Sequence, residues 1–467
     1  MKVLFISSEV APFSKTGGLA DVSAALPKAL LQRGLDVLTV TPLWPQVPRQ
    51  GLSAAGSVTL QFPFGPVTLT LLRKDSFLFL EQPELFDRPN IYGEADDHRR
   101  FAVFSMGALA AAQRLGFQPD VVHANDWPSG LVPLALSRGF STSSLKRAHS
   151  VFTIHNLAYT GSFSKDVMGD LGLPWDLFTA DGIEFYGHVS YLKAGLAYAE
   201  ALTTVSPTYA REIQTPHGGY GFEGLLRQRA GQLKGILNGI DIEEWDPLAD
   251  RHLAAKFSAD DLAGKEQCTR ALLDKLKLKV PKKKERPPVF GTVGRLADQK
   301  GVELLIGALP GVLDRGALAV VVGTGEERFV KALNELQRRY PHTLHVWIGF
   351  DEAFAHQLEA GVDFFMMPSK YEPCGLNQMY SLRYGTVPVV RAVGGLDDTV
   401  VDLSQPNATG IKFREYSTHA FYQALERAMQ LWNDKKALDE VRRRGMRQDF
   451  SWGQAAAKYE ALYQQLR

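Results

Sequence analysis

Cysteine is almost absent: the chain has two, Cys268 and Cys374, in 467 residues. Being so few and so far apart, they exclude a disulfide framework and a four-thiolate metal site and point to a reducing compartment. No sign of charge dominates, since 52 Lys and Arg stand against 51 Asp and Glu. A net charge of +1 offers no electrostatic footprint for nucleic acid or a membrane surface. No apolar run approaches the ~18–20 residues of a transmembrane helix; the nearest, 101–112, is closed by arginines on both sides. The opening MKVLFISSEVAPF has one lysine and a four-residue apolar run before Ser7 and Ser8, short of a secretory leader. The expected location is the cytoplasm.

Signatures of a catalytic metal are missing too. Neither HExxH nor Asp-x-Asp occurs, and His342 and His345 lie beside an expected strand with no matching ligands. Gly323 and Gly325 begin a GxG, but Arg328 holds the third glycine position, which disfavours a dinucleotide fingerprint and hydride chemistry. No solenoid repeat and no low-complexity segment is found.

What is present is ordinary globular composition, 45% hydrophobic, 22% charged and 10% aromatic, in a chain too long for one core and suited to two or three domains. Residues 3–7 (VLFIS) read as a buried strand. A helical pattern follows through Leu19, Val22, Leu26, Ala29 and Leu30 to Gly34, with Pro27 inside it, and Val37 to Thr41 reads as the next strand. This β-α-β opening implies a parallel sheet covered by helices. The same grammar restarts at mid-chain: strand 288–294, helix Val302 to Leu313, strand 318–323. Between the halves, 236–247 is turn-rich and KVPKKKERPP (279–288) reads as a basic, proline-rich surface loop. Ser451 and Gln454 stand at capping-box spacing before a final amphipathic stripe, Trp452, Ala455, Ala456, Tyr459, Leu462, Tyr463 and Leu466, which must dock on its own domain or on the first.

Four segments can carry chemistry. In SKTGGLADV (14–22), Gly17 and Gly18 let backbone amides face outward at a helix N-terminus and Lys15 adds a cation, which suits a phosphate site or, equally, a tight βα turn with a surface lysine. In GRLADQKG (294–301), Arg295 and Lys300 sit at the carboxyl edge of a parallel sheet, where two cations suit a diphosphate. In the loop after strand 362–367, Glu372 can bind sugar hydroxyls or stabilise a helix dipole, and Cys374, Gly375 and Leu376 start a helix whose free amides can grip oxygens, Cys374 itself reading as packing. Lastly, VVHANDW (121–127) and VFTIHN (151–156) place Asp126 and His155 at strand ends, as a sugar-binding wall or as structural groups.

Taken together, KTGGLADV, HANDW, TIHNLAYTG, ILNGID, GRLADQKG, PSKYEPCGL and GGLDDTV resemble, in order and spacing, the bacterial glycogen synthases and plant starch synthases over nearly the whole chain. That resemblance implies an α/β protein of GT-B type: two Rossmann-like doubly wound domains, 1–238 on the glucan side and 239–447 on the donor side, facing across a deep cleft, with 448–467 as a helix crossing back to the first domain. It implies glucosyl transfer with retention from ADP-glucose to an α-1,4-glucan, glycogen or a maltooligosaccharide, with no metal, nucleic-acid or membrane partner. By matching motifs, Lys15, Gly17 and Gly18 would contact the donor and Asp126 and His155 the glucose, with Asn238 near the hinge. Arg295 and Lys300 would hold the diphosphate, Glu372 with the Gly375 and Leu376 amides the moving glucose, and Gly349 and Phe350 the adenine. The His155 carbonyl would steady an oxocarbenium-like centre in front-face substitution. Two positions depart from the pattern: Pro128 stands where many relatives have histidine, and Asn377 where some have threonine. The competing readings are a GT-B enzyme with another donor or acceptor, a non-catalytic glucan-binding protein and, more distantly, a dehydrogenase.

Overall fold

The structure is a computed structural model and describes residues 1–139, 145, 147–280 and 285–467. The centre of the basic loop expected over 279–288 lies outside the described residues. The chain divides into two compact units, Met1–Gly239 with Trp452–Arg467, and Ile240–Ser451. Among the described residues no helix is long and apolar enough to cross a membrane.

The first unit is built on β1 (Lys2–Ile6), β2 (Asp36–Pro42), β3 (Ser53–Phe62), β4 (Gly65–Lys74), β5 (Phe77–Glu81), β6 (Val121–Asn125) and β7 (His149–Ile154). A small antiparallel sheet of β8 (Ser162–Ser164), β9 (Glu184–Phe185) and β10 (His188–Ser190) follows, then β11 (Ala201–Thr204) and β12 (Leu233–Gly235). The main sheet has nine strands in the order β12-β11-β7-β6-β1-β2-β5-β4-β3. Its centre is parallel, as the sequence implies, but β3, β4 and β5 are antiparallel neighbours. The reason is local. Val67, Leu69 and Leu71 of β4 are buried alternately with exposed residues, the period-two pattern of a strand with one wet face, and Pro63-Phe64 is too short a link for anything but a hairpin.

The helix Gly18–Gln32 follows β1, contains Pro27 and buries Val22, Leu26 and Leu30. These share a core with Trp452, Ala455, Ala456, Tyr459, Leu462 and Tyr463 of the last helix, Trp452–Leu466. A fully buried leucine in such a core contributes roughly 1.5–3 kcal/mol, and Arg33 adds an ion pair to Glu460 at 2.6 Å. The last helix is also tied to the sheet by a buried polar chain. The Tyr463 hydroxyl is hydrogen-bonded to His123 Nδ1 at 2.7 Å, His123 Nε2 to Thr153 Oγ1 at 2.5 Å, and Thr153 to Thr203 Oγ1 at 2.5 Å. Burial, and then the nearby His155, push the His123 pKa down to about 3, so the ring is neutral.

The second unit has six parallel strands, β13 (Val289–Val293), β14 (Leu318–Gly323), β15 (Leu344–Ile348), β16 (Phe364–Met367), β17 (Val387–Arg391) and β18 (Ile411–Phe413), in the order β15-β14-β13-β16-β17-β18. The chain winds outward from β13 to β15, then returns to start again at β16. Ligands of such sheets bind beyond the strand carboxyl ends where the winding reverses, here between β13 and β16. In the first unit the reversal falls between β1 and β6.

Candidate active site

At the β1/β6 reversal, Glu9 organises the loop that leaves β1. It is 3% exposed. Its carboxylate accepts from the Thr16 amide at 2.5 Å, the Thr16 hydroxyl at 2.7 Å, the Gly17 amide at 3.3 Å and the Tyr92 hydroxyl at 2.6 Å. This corrects the expectation that the Gly17 amide faces outward: a protein carboxylate occupies the donors that would attract a phosphate. Lys15, exposed, is paired with Asp21 at 2.7 Å. Gly17 is extended, with φ −159° and ψ −165°, and a Cβ on either Gly17 or Gly18 would meet nothing within 4 Å. Gly18 opens the helix, where first-turn amides have no helical acceptor.

Across the reversal, Asp126 follows β6 with φ 55° and ψ 178°, a strained backbone for any residue but glycine. Its Oδ1 accepts from the His155 amide at 2.7 Å. Burial raises the Asp126 pKa to about 7, against the lowering effect of the His155 and Asn156 amides. His155 Nε2 lies 3.0 Å from Asn125 Oδ1, whose own Nδ2 donates to the Ile6 carbonyl at 3.1 Å. That orientation makes Asn125 Oδ1 an acceptor, so His155 carries its proton on Nε2. Burial pulls its pKa down to about 3, leaving a neutral ring with a Nδ1 lone pair. No donor among the described residues reaches the His155 carbonyl oxygen. Trp127 opens the next turn and lies edge-on to Phe101 at 4.7 Å between ring centroids, and Pro128 follows it as a buried residue. Asn238, 8% exposed, has an Oδ1 without a partner.

At the β13/β16 reversal the loops 294–301 and 368–376 are laced together, the Lys370 amide donating to the Gln299 carbonyl at 2.8 Å. Gly301 has φ 66°, and a Cβ there would stand 2.1 Å from the Pro368 carbonyl oxygen, so this close approach requires glycine. The result is an ion pair between Lys300 Nζ and Glu372 Oε2 at 2.6 Å. Glu372, 5% exposed, also accepts from the Ser369 hydroxyl at 3.1 Å. Two residues given separate tasks by their motifs therefore form one unit. Arg295 is exposed and donates to Gln299 Oε1 at 2.9 Å; among the described residues no carboxylate pairs with it. Gly375 has φ 71° and precedes the helix Asn377–Arg383, with Leu376 as its N-cap. Gln378 fixes that turn by donating to the Cys374 and Gly375 carbonyls, both at 3.0 Å. Cys374 is buried, and Asn377 donates to the Val293 carbonyl at 2.7 Å. At the sheet edge, the Gly349 amide donates to the Gly323 carbonyl at 3.1 Å and Phe350 is 72% exposed.

Glu9 and Tyr92 went unread in the sequence; the signal was an acid directly beyond a buried strand. Gly323 and Gly325 serve packing, since a Cβ on them would meet the Gly294 and Leu296 carbonyl oxygens at 1.9 and 2.2 Å. Arg328 pairs with Asp298 at 2.6 Å and Glu326 at 2.8 Å. A complete GxGxxG does occur at Gly219, Gly221 and Gly224, but its turn follows the helix Pro207–Glu212 rather than a strand, so it is no βα phosphate turn.

Residues 2–228 match the family model of the starch synthase catalytic domain, and residues 274–444 that of glycosyl transferases group 1. A glycogen synthase of Myxococcus xanthus is 56% identical over 100% of this chain and 99% of its own length, and one of Anaeromyxobacter sp. is 50% identical over 100% and 99%. Among solved structures, the catalytic domain of starch synthase IV from Arabidopsis thaliana, bound to ADP and acarbose, superposes with a TM-score of 0.90 at 33% identity, covering 99% of each chain. Sucrose-phosphate synthase from Thermosynechococcus elongatus shares the fold, with a TM-score of 0.63 at 19% identity. With identity of this order running from end to end, the chain belongs to the glycogen and starch synthase family of GT-B glycosyltransferases.

Proposed function

We propose that the enzyme transfers glucose from ADP-glucose to the non-reducing 4-hydroxyl of an α-1,4-glucan, glycogen or a maltooligosaccharide, with retention of configuration, in the cytoplasm and without a metal. The observation that carries this reading is the β13/β16 reversal, whose two loops carry Arg295, bonded to the neutral Gln299, the Lys300–Glu372 ion pair and the Gly375–Leu376 turn. Phe350 offers an exposed aromatic face at the edge of the same sheet, suited to a purine. The ADP and acarbose of the starch synthase IV structure are the ligand classes such a site would take.

In this mechanism the bond from glucose C1 to the diphosphate breaks while the acceptor O4–C1 bond forms on the same face, and the acceptor proton passes to a departing phosphate oxygen. Arg295 and Lys300 meet the charge that grows there, as a metal ion would elsewhere. The family's motifs would have Glu372 accept from sugar hydroxyls, Asp126 and neutral His155 contact the glucose, and the His155 carbonyl steady the cationic C1. Lys15, Gly17, Gly18 and Asn238 take supporting contacts with donor and glucan. Radiolabelled glucose incorporation into glycogen from a panel of ADP-, UDP- and GDP-glucose, with and without EDTA, tests the reading. ADP-glucose should lead and EDTA should leave turnover in place. Equal or better turnover with UDP-glucose, or complete loss in EDTA restored by a divalent ion, overturns it.

A further inference from the structure

The second unit also holds a cluster to which the proposed glucosyl transfer assigns no role. The helix Glu352–Gly361 is capped by Asp351, whose side chain accepts from the Phe354 amide at 2.6 Å. Glu352 opens this helix and His356 follows four residues later, so the two side chains leave the same face. Glu244, in the turn-rich start of the unit, completes the group: one ligand-capable atom from each of Glu244, Glu352 and His356 lies within 4.8 Å of the others.

The histidine is fixed before any ligand arrives. It is 1% exposed, stacked on Trp245 at 3.8 Å between ring centroids with an interplanar angle of 11°, and its Nδ1 lies 2.6 Å from Asp250 Oδ2. The same carboxylate oxygen accepts from the Tyr384 hydroxyl at 2.5 Å. Asp250 therefore acts as an acceptor and His356 donates from Nδ1, which in the neutral ring places the lone pair on Nε2. That Nε2 is buried and has no hydrogen-bond partner, an arrangement proteins rarely tolerate without a reason.

We propose that Glu244, Glu352 and His356 Nε2 form a binding site for a divalent first-row transition cation of the zinc type. An imidazole nitrogen beside two carboxylates suits such a cation better than magnesium or calcium, which favour all-oxygen shells. Asp250 on the far ring nitrogen is the carboxylate–histidine–metal arrangement that orients a ligand and raises its basicity. Zinc bonds of ~2.0–2.2 Å draw the three ligand atoms closer than they stand. Glu244 and Glu352 are exposed and lie within side-chain hydrogen-bond reach of each other, and a cation offsets the repulsion between their ionised forms. Bound there, it would pin the Glu244–Trp245 segment to the helix that begins just after Phe350.

The test uses the tag-free, full-length chain stripped with EDTA and dialysed, titrated calorimetrically with ZnCl2 and with MgCl2, and with CoCl2 followed by visible absorption. We expect one Zn2+ per chain, Mg2+ binding at least about tenfold weaker, a Co2+ spectrum with nitrogen and oxygen ligation, and a melting temperature raised by Zn2+ but not by Mg2+. Glu244→Gln and Glu352→Gln should each weaken Zn2+ binding by at least about tenfold while melting like the metal-free parent. His356→Gln should abolish the Co2+ bands; should it fail to fold, the two glutamine variants decide. Less than one Zn2+ per chain, or unchanged affinity in both glutamine variants, overturns the proposal.

Discussion

Replacing Lys300 by alanine separates two tasks that one ion pair combines. The Lys300 ammonium lies 2.6 Å from Glu372, with the two side chains 28% and 7% exposed. Without it a nearly buried carboxylate keeps the Ser369 hydroxyl as its side-chain donor, a loss of ~1–3 kcal/mol of stability. This is below the ~3–5 kcal/mol of a fully buried pair, because Lys300 is partly wet. The reaction suffers separately. Charge grows on the departing diphosphate, and losing one preorganised partner there costs ~10²–10³ in rate, about 2.7–4 kcal/mol. Lys300→Ala should therefore unfold at lower urea and turn over about 100-fold more slowly or worse at saturating ADP-glucose and glycogen. Adding Glu372→Gln removes the orphaned charge, so the double variant should regain most of the stability. Its kcat should stay well below that of Glu372→Gln alone. Equal kcat in those two variants would show that Lys300 acts only by holding Glu372, and would refute its role at the diphosphate.

Arg295→Ala should lower kcat by about 100-fold yet change stability by less than ~1 kcal/mol, since Arg295 is exposed and bonded to Gln299; near-normal turnover here and in Lys300→Ala would mean the site lies elsewhere. Asp126 should make stability depend on pH. Its pKa rises from 3.8 to about 7 on folding, so between those values the folded chain holds a proton that the unfolded chain has released, and stability falls as pH rises through this window. Asp126→Asn, which keeps the side-chain shape and adds no backbone strain beyond what Asp126 already bears at this position, should flatten that fall in urea midpoints taken from about pH 5 to 8; an unchanged slope would assign it to other groups. Tyr463→Phe should cost ~1–3 kcal/mol by depriving fully buried His123 of a partner, with turnover nearly unaffected; a stability equal to the parent would show that the buried chain contributes little.

Much of this protein is legible in the amino-acid order alone. Helix Val302–Leu313 and strand Leu318–Gly323 fall at their expected bounds, because apolar periodicity and the glycines beyond it are local properties that report which backbone can bury a face. The loops that carry Arg295, Lys300, Glu372, Asp126 and His155 are legible for a related reason: each begins where a buried strand meets polar residues, and that junction is the open edge of a parallel sheet. The antiparallel β3–β5 edge was also written locally, in the alternation of Val67, Leu69 and Leu71. Tertiary structure alone settled which of these groups are already committed. Glu9 takes the Gly17 amide, Glu372 takes Lys300, and Asp250 orients His356 from 106 residues away. Hydrogen bonds and ion pairs act over a few ångströms and are indifferent to separation along the chain, so these partners become visible only once strand order has brought the loops together.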